Sequence, residues 1–92
     1  MTKRYAVDYT QAAAKALSKL DKQVASMIYD WIGANLVGCS NARAHGKALA
    51  GGLSGQWRYR VGDYRLIAQI HDDTVTILML AIGHRSKIYD EP

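Results

Sequence analysis

The stretch QWRYRVGDYRLIAQIHDDTVTILMLAI, residues 56–82, decides the fold, because apolar and polar side chains alternate along it between short turn sequences. A period of two is typical of strands, whose successive side chains point to opposite faces. Gly62-Asp63 is predicted to form a two-residue II′ turn, since its first residue tolerates positive φ. Asp72-Asp73 is predicted to form the second turn. The stretch therefore predicts three consecutive strands, over 57–61, 64–71 and 74–82.

The last of these strands is apolar on both faces, which predicts an interior position in the sheet. On the amino-terminal side, residues 4–9 alternate weakly and predict a first strand. Residues 11–20 are rich in alanine and lysine and predict a helix that Thr10 caps. Asp21 is predicted to cap a second helix, which Gly38 ends. Apolar residues of this helix recur at helical spacing, namely Val24, Met27, Ile28, Trp31, Ile32 and Leu36.

Residues 38–56 contain five glycines and predict a loop, with a helical turn at 43–50. The short link between the two helices predicts an antiparallel helical hairpin. The predicted order is a strand, the helical hairpin and a three-stranded antiparallel meander, which is an α+β fold. The hairpin is expected on one face of the sheet, leaving the other face free for function. We see no linker, so residues 1–92 are predicted to form a single domain.

Composition excludes several classes of protein. The chain has 92 residues, 49% hydrophobic and 22% charged, with one proline, as in an ordinary globular domain. No apolar run approaches the roughly 18–20 residues of a membrane-spanning helix, and the first residues lack a secretory signal pattern. The single Cys39 excludes an internal disulfide or a cysteine-rich zinc site. We therefore expect a cytoplasmic protein, and since the sequence contains no Walker loop and no zinc motif, we expect neither a cofactor nor a bound metal.

Charge is unevenly distributed. The chain carries 12 Lys and Arg against 8 Asp and Glu, a net +4, and no acid occurs between Asp30 and Asp63. The predicted turn pairs Arg60 with Arg65 and puts Arg58 on the same face. Like charges at opposed positions destabilise a sheet, so the cluster favours a site for a polyanion. The alternative is that the arginine stems lie over the sheet with their heads in water.

The segment after the last strand carries further candidates. Arg85 is another anion ligand, His84 is a candidate acid or base, and Tyr89 offers a ring on which an RNA base can stack. Three residues of the glycine-rich region are predicted to contact the phosphates of RNA: Arg43, His45 and Lys47.

Three motifs carry a family resemblance. HGKAL at 45–49, GQWRYRVGDYRLIAQI at 55–70 and IGHRSKIY at 82–89 closely resemble toxins of the RelE branch of the RelE/ParE superfamily. KLDKQV at 19–24 fits the same pattern, so the resemblance covers essentially the whole chain. It implies the toxin of a bacterial type II toxin–antitoxin system, folded as a small sheet with a helical hairpin on one face.

The resemblance also implies an activity and partners. RelE-type toxins enter the ribosomal A site and cut mRNA, the ribose 2′-hydroxyl attacking the adjacent phosphate without a metal. A RelB-like antitoxin inhibits the toxin, and the pair binds operator DNA. The family's cleavage residues fall on Arg58, Arg60, Arg65, Arg85 and Tyr89.

One departure concerns proton transfer. In the best-described RelE member the first two of these positions are lysines, one proposed as the general base, whereas here they are Arg58 and Arg60. A guanidinium is a poor base because it stays protonated. His84 is then expected to act as the acid or base, or ribosomal RNA is expected to assist the proton transfer. The third alternative is that the enzyme relies on electrostatics and positioning alone.

Two other functions share the fold. A ParE-like toxin inhibits DNA gyrase by binding and cuts no nucleic acid, and a degenerate toxin acts mainly as a co-repressor with its antitoxin. The gathering of the arginines and Tyr89 at one site favours the nuclease, because a gyrase inhibitor does not need it.

Overall fold

Two helices and five strands are present in the computed structural model, which describes residues 3–49 and 56–85. The elements are β1 (Ala6–Tyr9), α1 (Gln11–Ser18), α2 (Lys22–Asn35), β2 (Lys47–Ala48), β3 (Gln56–Val61), β4 (Tyr64–His71) and β5 (Thr76–His84). The strands form one sheet in the order β1-β5-β4-β3-β2. This arrangement confirms the predicted α+β class. No helix within the described ranges is long and apolar enough to cross a membrane.

The sheet combines one parallel pairing with an antiparallel meander. β1 runs parallel to β5, with Ala6 opposite Thr76, whereas β3, β4 and β5 pair antiparallel in succession. β5 therefore lies between β1 and β4. Its interior position agrees with its apolar sequence, since both of its faces are covered or half-buried.

Helix caps explain where the helices begin. The Thr10 hydroxyl accepts the Ala13 N–H at 3.1 Å, and the Asp21 carboxylate accepts the Gln23 N–H at 3.0 Å. Both caps were predicted, because these side chains satisfy N–H groups that lack a partner within the helix. α1 ends two residues earlier than the predicted 11–20, at Ser18.

The core lies between the helices and one face of the sheet, as the amphipathic pattern predicts. Its largest fully buried side chains are Leu17, Ile28, Ile32, Leu36, Tyr59, Leu66, Ile77 and Met79. The Tyr59 hydroxyl donates to the Ala42 carbonyl at 2.6 Å, which anchors the loop after α2 to the sheet. Burial raises the pKa of Tyr59, so this hydroxyl stays protonated.

Two local predictions are wrong. The expected helical turn at 43–50 is instead a turn that leads into the edge strand β2, which pairs with β3. The last strand begins at Thr76 rather than at residue 74, because the turn extends through Val75. Val75 adopts a positive φ of 51°, and its N–H donates to the Asp72 carbonyl at 3.3 Å. A β-branched residue rarely adopts this conformation, so the longer turn has no obvious sequence signal.

Candidate functional site

The hairpin between β3 and β4 sets the geometry of the candidate site. Gly62 has φ +59°, and Asp63 does not share the positive φ, as a II′ turn requires. Val61 therefore pairs with Tyr64, and Arg60 pairs directly with Arg65. This is the register that the two-residue turn predicts.

Four cations occupy the face of the sheet that points away from the helices. Arg58 and Arg60 alternate with buried Tyr59 on β3, and Arg65 precedes buried Leu66 on β4. Lys47 of the edge strand β2 is directly opposite Arg58. We call Lys47, Arg58, Arg60 and Arg65 the cationic face. It consists of two cross-strand pairs of like charge.

The strands of the cationic face bring no carboxylate to the same side of the sheet. The other residues on this side of β3 and β4 are Gln56, Ile67, Gln69 and His71. Among the described strands, the first carboxylate on this side is Asp8 of β1, which pairs with Leu78. β4 and β5 separate that strand from β3, a distance of about 14 Å. The described strands of the sheet thus give this face a cationic character that is suited to binding an anion.

The Gly62-Asp63 turn gathers two further contacts at one end of the cationic face. The Arg65 guanidinium donates to the carbonyls of Gly62 and Tyr64, each at 3.2 Å. The backbone N–H of Arg85 donates to the Asp63 carbonyl at 2.9 Å. This hydrogen bond places Arg85, which is exposed, at the same end of the sheet as Arg60 and Arg65. Tyr89 lies outside the described residues.

His84 lies on the opposite side of the sheet from the cationic face. It pairs with Tyr64, and the two rings meet edge-to-face with centroids 5.4 Å apart. Tyr64 and Arg65 are consecutive on β4, so their side chains point to opposite faces. A bulge at Leu80, where the register shifts between Ile67 and Ala68, explains the placement. One extra residue reverses the alternation beyond it, which turns His84 toward the helices.

Arg43 is held at the other end of the sheet. Its guanidinium forms a bidentate ion pair with Asp72, at 3.0 and 2.9 Å, and the Tyr5 hydroxyl donates to the same carboxylate at 2.6 Å. These two hydrogen-bond donors, of which Arg43 has the larger effect, hold the pKa of Asp72 well below its usual range. Asp72 follows the end of β4, whereas Arg65 lies near its start, so about 20 Å of strand separates Asp72, the partner of Arg43, from Arg65. The structure does not bring the two together.

Of the three predicted phosphate contacts in the glycine-rich region, Lys47 is the one that joins the cationic face. The His45 backbone carbonyl accepts a hydrogen bond from the Trp57 indole N–H at 2.6 Å. The centroid of the His45 imidazole lies 5.7 Å from that of the Trp31 ring. Gly46 has φ +81°, and a Cβ there would collide with the Arg58 carbonyl. Glycine thus lets the chain approach β3 closely enough for Lys47 to pair with Arg58.

The site has no obvious metal centre. Within residues 3–49 and 56–85, no group of three His, Cys, Asp or Glu side chains is placed to hold a metal ion. Cys39 is half-buried, and burial raises the pKa of its thiol, which disfavours the nucleophilic thiolate. The chemistry available on the cationic face is the binding and electrostatic stabilisation of an anion.

Comparison with known proteins places this sheet in a family. Residues 7–89 match the model of the family described as the ParE toxin of the type II toxin–antitoxin system parDE. The chain is also 31% identical over 85 residues to toxin RelG of Mycobacterium tuberculosis, with 92% of this chain and 95% of RelG covered. The chain therefore belongs to the ParE toxin family of type II toxin–antitoxin systems, within the RelE/ParE superfamily.

Solved structures agree with this assignment. The chain superposes on a chain of the RelBE2 toxin–antitoxin complex from Mycobacterium tuberculosis with a TM-score of 0.79 at 28% identity, covering 91% of this chain and 94% of that one. The isolated RelE toxin of E. coli superposes with a TM-score of 0.72 at 24% identity, covering 95% and 93%. The latter likeness is one of fold and confirms the predicted RelE-like architecture.

Proposed function

We propose that this toxin is a ribosome-dependent endoribonuclease that cuts mRNA in the A site and thereby stops translation. The observation that carries the proposal is the direct pairing of Arg60 with Arg65 on the sheet face that points away from the helices. Two residues of like charge at opposed positions destabilise a sheet, and a phosphate bound by both side chains offsets that cost. The planar guanidinium also matches phosphate oxygens bidentately.

The reaction follows from the substrate's own nucleophile. The ribose 2′-hydroxyl attacks the adjacent phosphorus, the bond to the 5′-oxygen breaks, and a 2′,3′-cyclic phosphate and a 5′-hydroxyl result. The pentacovalent phosphorane carries extra negative charge at the transition state. Fixed cations aimed at that charge accelerate the step, and loss of one such donor costs about 100- to 1,000-fold in related acyl transfer. Arg58, Arg60 and Arg65 are the proposed donors, with Arg85 at the end of the site.

Proton transfer is the step for which the cationic face offers least. Guanidinium groups do not accept a proton, and His84 points to the side of Tyr64 rather than to Arg65. His84 therefore takes part only if the RNA reaches around the end of the sheet. Electrostatic stabilisation and positioning by the arginines, with ribosomal RNA assisting the proton transfer, fit the geometry best.

The proposed partners are the ribosome, mRNA and a RelB-like antitoxin, with operator DNA bound only together with that antitoxin. The RelBE2 neighbour is a toxin–antitoxin complex, and a complex of this kind also exists for E. coli RelBE, which shares the fold. We propose that an acidic antitoxin segment covers the cationic face and competes with RNA, and that the protein acts in the cytoplasm. Antitoxin binding that survives charge reversal at Arg58 and Arg60 would contradict this arrangement.

Primer extension on a reporter message, with and without translation, tests the nuclease. We expect cuts in wild type that require translation and that disappear in Arg65→Ala. Arg4→Ala is the matched control, because Arg4 is an exposed arginine outside the cationic face. If the Arg65→Ala variant cuts the message as strongly as wild type, the cationic face does not take part in cleavage.

The family model favours one rival function, since the family it describes is that of ParE toxins. A ParE-like toxin would bind DNA gyrase and leave mRNA intact. A gyrase supercoiling assay on the purified toxin distinguishes the two. If the toxin inhibits supercoiling and leaves the message intact in a translating extract, the nuclease proposal is wrong and the toxin is a gyrase inhibitor.

A further inference from the structure

Two glutamines lie next to the cationic face on the same side of the sheet. Gln56 of β3 pairs directly with Gln69 of β4, and the next row on this side consists of Arg58 and Ile67. Both amides are half-buried. We call Gln56 and Gln69 the amide pair. Two residues of strand, about 7 Å, separate it from the Arg58 row, which is the scale of one nucleotide.

Apolar side chains border the amide pair. The Leu49 N–H donates to the Gln56 carbonyl at 3.2 Å, which places Leu49 beside β3, and Leu78 of β5 pairs with Gln69. Both leucines are half-buried, as is Ile67 in the adjacent row. An aromatic ring that lies on this surface meets apolar side chains around two polar groups. That is the usual composition of a small ligand site.

The amide side chains retain hydrogen-bonding capacity. Among the side-chain hydrogen bonds of the part of the chain that the structure describes, none involves the Gln56 or Gln69 amide. Each amide presents an acceptor oxygen beside donor N–H groups. A base edge with a donor next to an acceptor satisfies both, and adenine offers this combination through its amino group and a ring nitrogen.

We propose that Gln56 and Gln69 read the nucleobase next to the scissile phosphate and favour adenine there. This inference rests on the proposed nuclease function. With the phosphate between the Arg58 row and the Arg60–Arg65 row, the amide pair lies about 10 Å away along the strands, and the base on the Arg58 side is the one nearest to it. Glutamine is the residue type that pairs bidentately with adenine, whereas arginine at these positions would bind phosphate or guanine instead.

Mapping 5′ ends of cleaved messages across a translating extract tests the proposal. Wild type is expected to show adenine enriched at one position beside the cut. Gln56→Met and Gln69→Met preserve side-chain length but remove the amide, and each is expected to reduce that enrichment at least about fivefold. Gln11→Met is the matched control, because Gln11 is exposed on α1, and its cleavage profile should equal that of wild type.

The outcomes separate this inference from the nuclease proposal. If wild type cuts no message, the nuclease proposal fails. If wild type cuts but shows no adenine enrichment, or if both methionine variants keep the wild-type base profile, the amide pair does not read the base. Should a methionine variant fail to fold, Gln69→Glu provides the same test. Its carboxylate only accepts hydrogen bonds, so the preferred base is expected to change, and an unchanged profile contradicts the proposal.

Discussion

Arg60 and Arg65 face each other directly across the β3–β4 hairpin, two cations in a position where opposite charges or apolar side chains stabilise a sheet. Lys47 and Arg58 repeat the arrangement one row away. Like charges at directly opposed positions disfavour strand pairing, and an anionic ligand bound by both residues offsets that cost. Stability and proposed function are opposed at these residues, and this opposition can be measured.

Arg60→Gln is expected to stabilise the fold while it weakens the toxin. Removing one of two opposed cations should raise the free energy of unfolding by about 0.2–1 kcal/mol. Losing a fixed donor to the phosphorane should lower message cleavage about 100-fold. Urea denaturation and primer extension measure the two effects. Arg4→Gln is the control, and a variant of Arg60 that loses stability as well as activity would indicate a structural role instead.

Tyr89 is expected to act through its ring if it holds a base by stacking. Tyr89→Phe keeps the ring and should retain most of the cleavage activity. Tyr89→Ala should lose about 1–3 kcal/mol of RNA binding, a reduction of roughly 10- to 100-fold in cleavage at low message concentration. Equal losses in the two variants would instead assign the function to the hydroxyl group.

Asp72 is expected to make stability depend on acidic pH. Because its pKa in the folded state lies below that of the unfolded chain, its contribution is complete above about pH 4 and declines as the pH falls toward the folded-state value. Asp72→Asn should therefore lower the melting temperature at pH 7, and the difference from wild type should shrink below pH 4. Asp73→Asn is the control, since asparagine can still accept the Thr74 N–H. A difference that is constant from pH 7 to pH 3 would contradict the role of the carboxylate charge.

Alanine substitutions at three glycines distinguish the destabilisation caused by a positive φ from that caused by a steric collision. Gly33→Ala, inside α2 with open space around it, should stabilise by about 0.5–1 kcal/mol. Gly38→Ala, with φ +77° and open space, should destabilise by about 1–2 kcal/mol. Gly46→Ala adds a collision with the Arg58 carbonyl to a φ of +81° and should cost more than Gly38→Ala. Thermal unfolding ranks the three variants, and equal losses at Gly38 and Gly46 would exclude the steric term.

The part of the site that could be predicted from the sequence depends on a single turn. Gly62-Asp63 leaves room for two residues between the strands, and this fixes the pairing of Arg60 with Arg65 without knowledge of the rest of the fold. The helix caps at Thr10 and Asp21 were predictable for a similar reason. Each rests on local chemistry within three residues of chain.

The remaining features depend on non-local geometry. β2 is two residues long, too short for any periodicity, and it forms because Gly46 permits a close approach to β3. The bulge at Leu80 reverses the alternation of β5, so counting along the strand places His84 on the wrong face. Arg43 reads as a loop cation, but its partner Asp72 is 29 residues away.

The parallel pairing of β1 with β5 also has a consequence for synthesis on the ribosome. Ala6 meets Thr76, 70 residues later in the chain, and α1 packs chiefly on that same β5. The amino-terminal strand and helices thus have no sheet to join until β5 has been translated. Closing so long a segment is entropically costly and slows folding. The five-stranded sheet of a nascent chain is consequently completed only near the end of its own translation, when β5 becomes available to both β1 and β4.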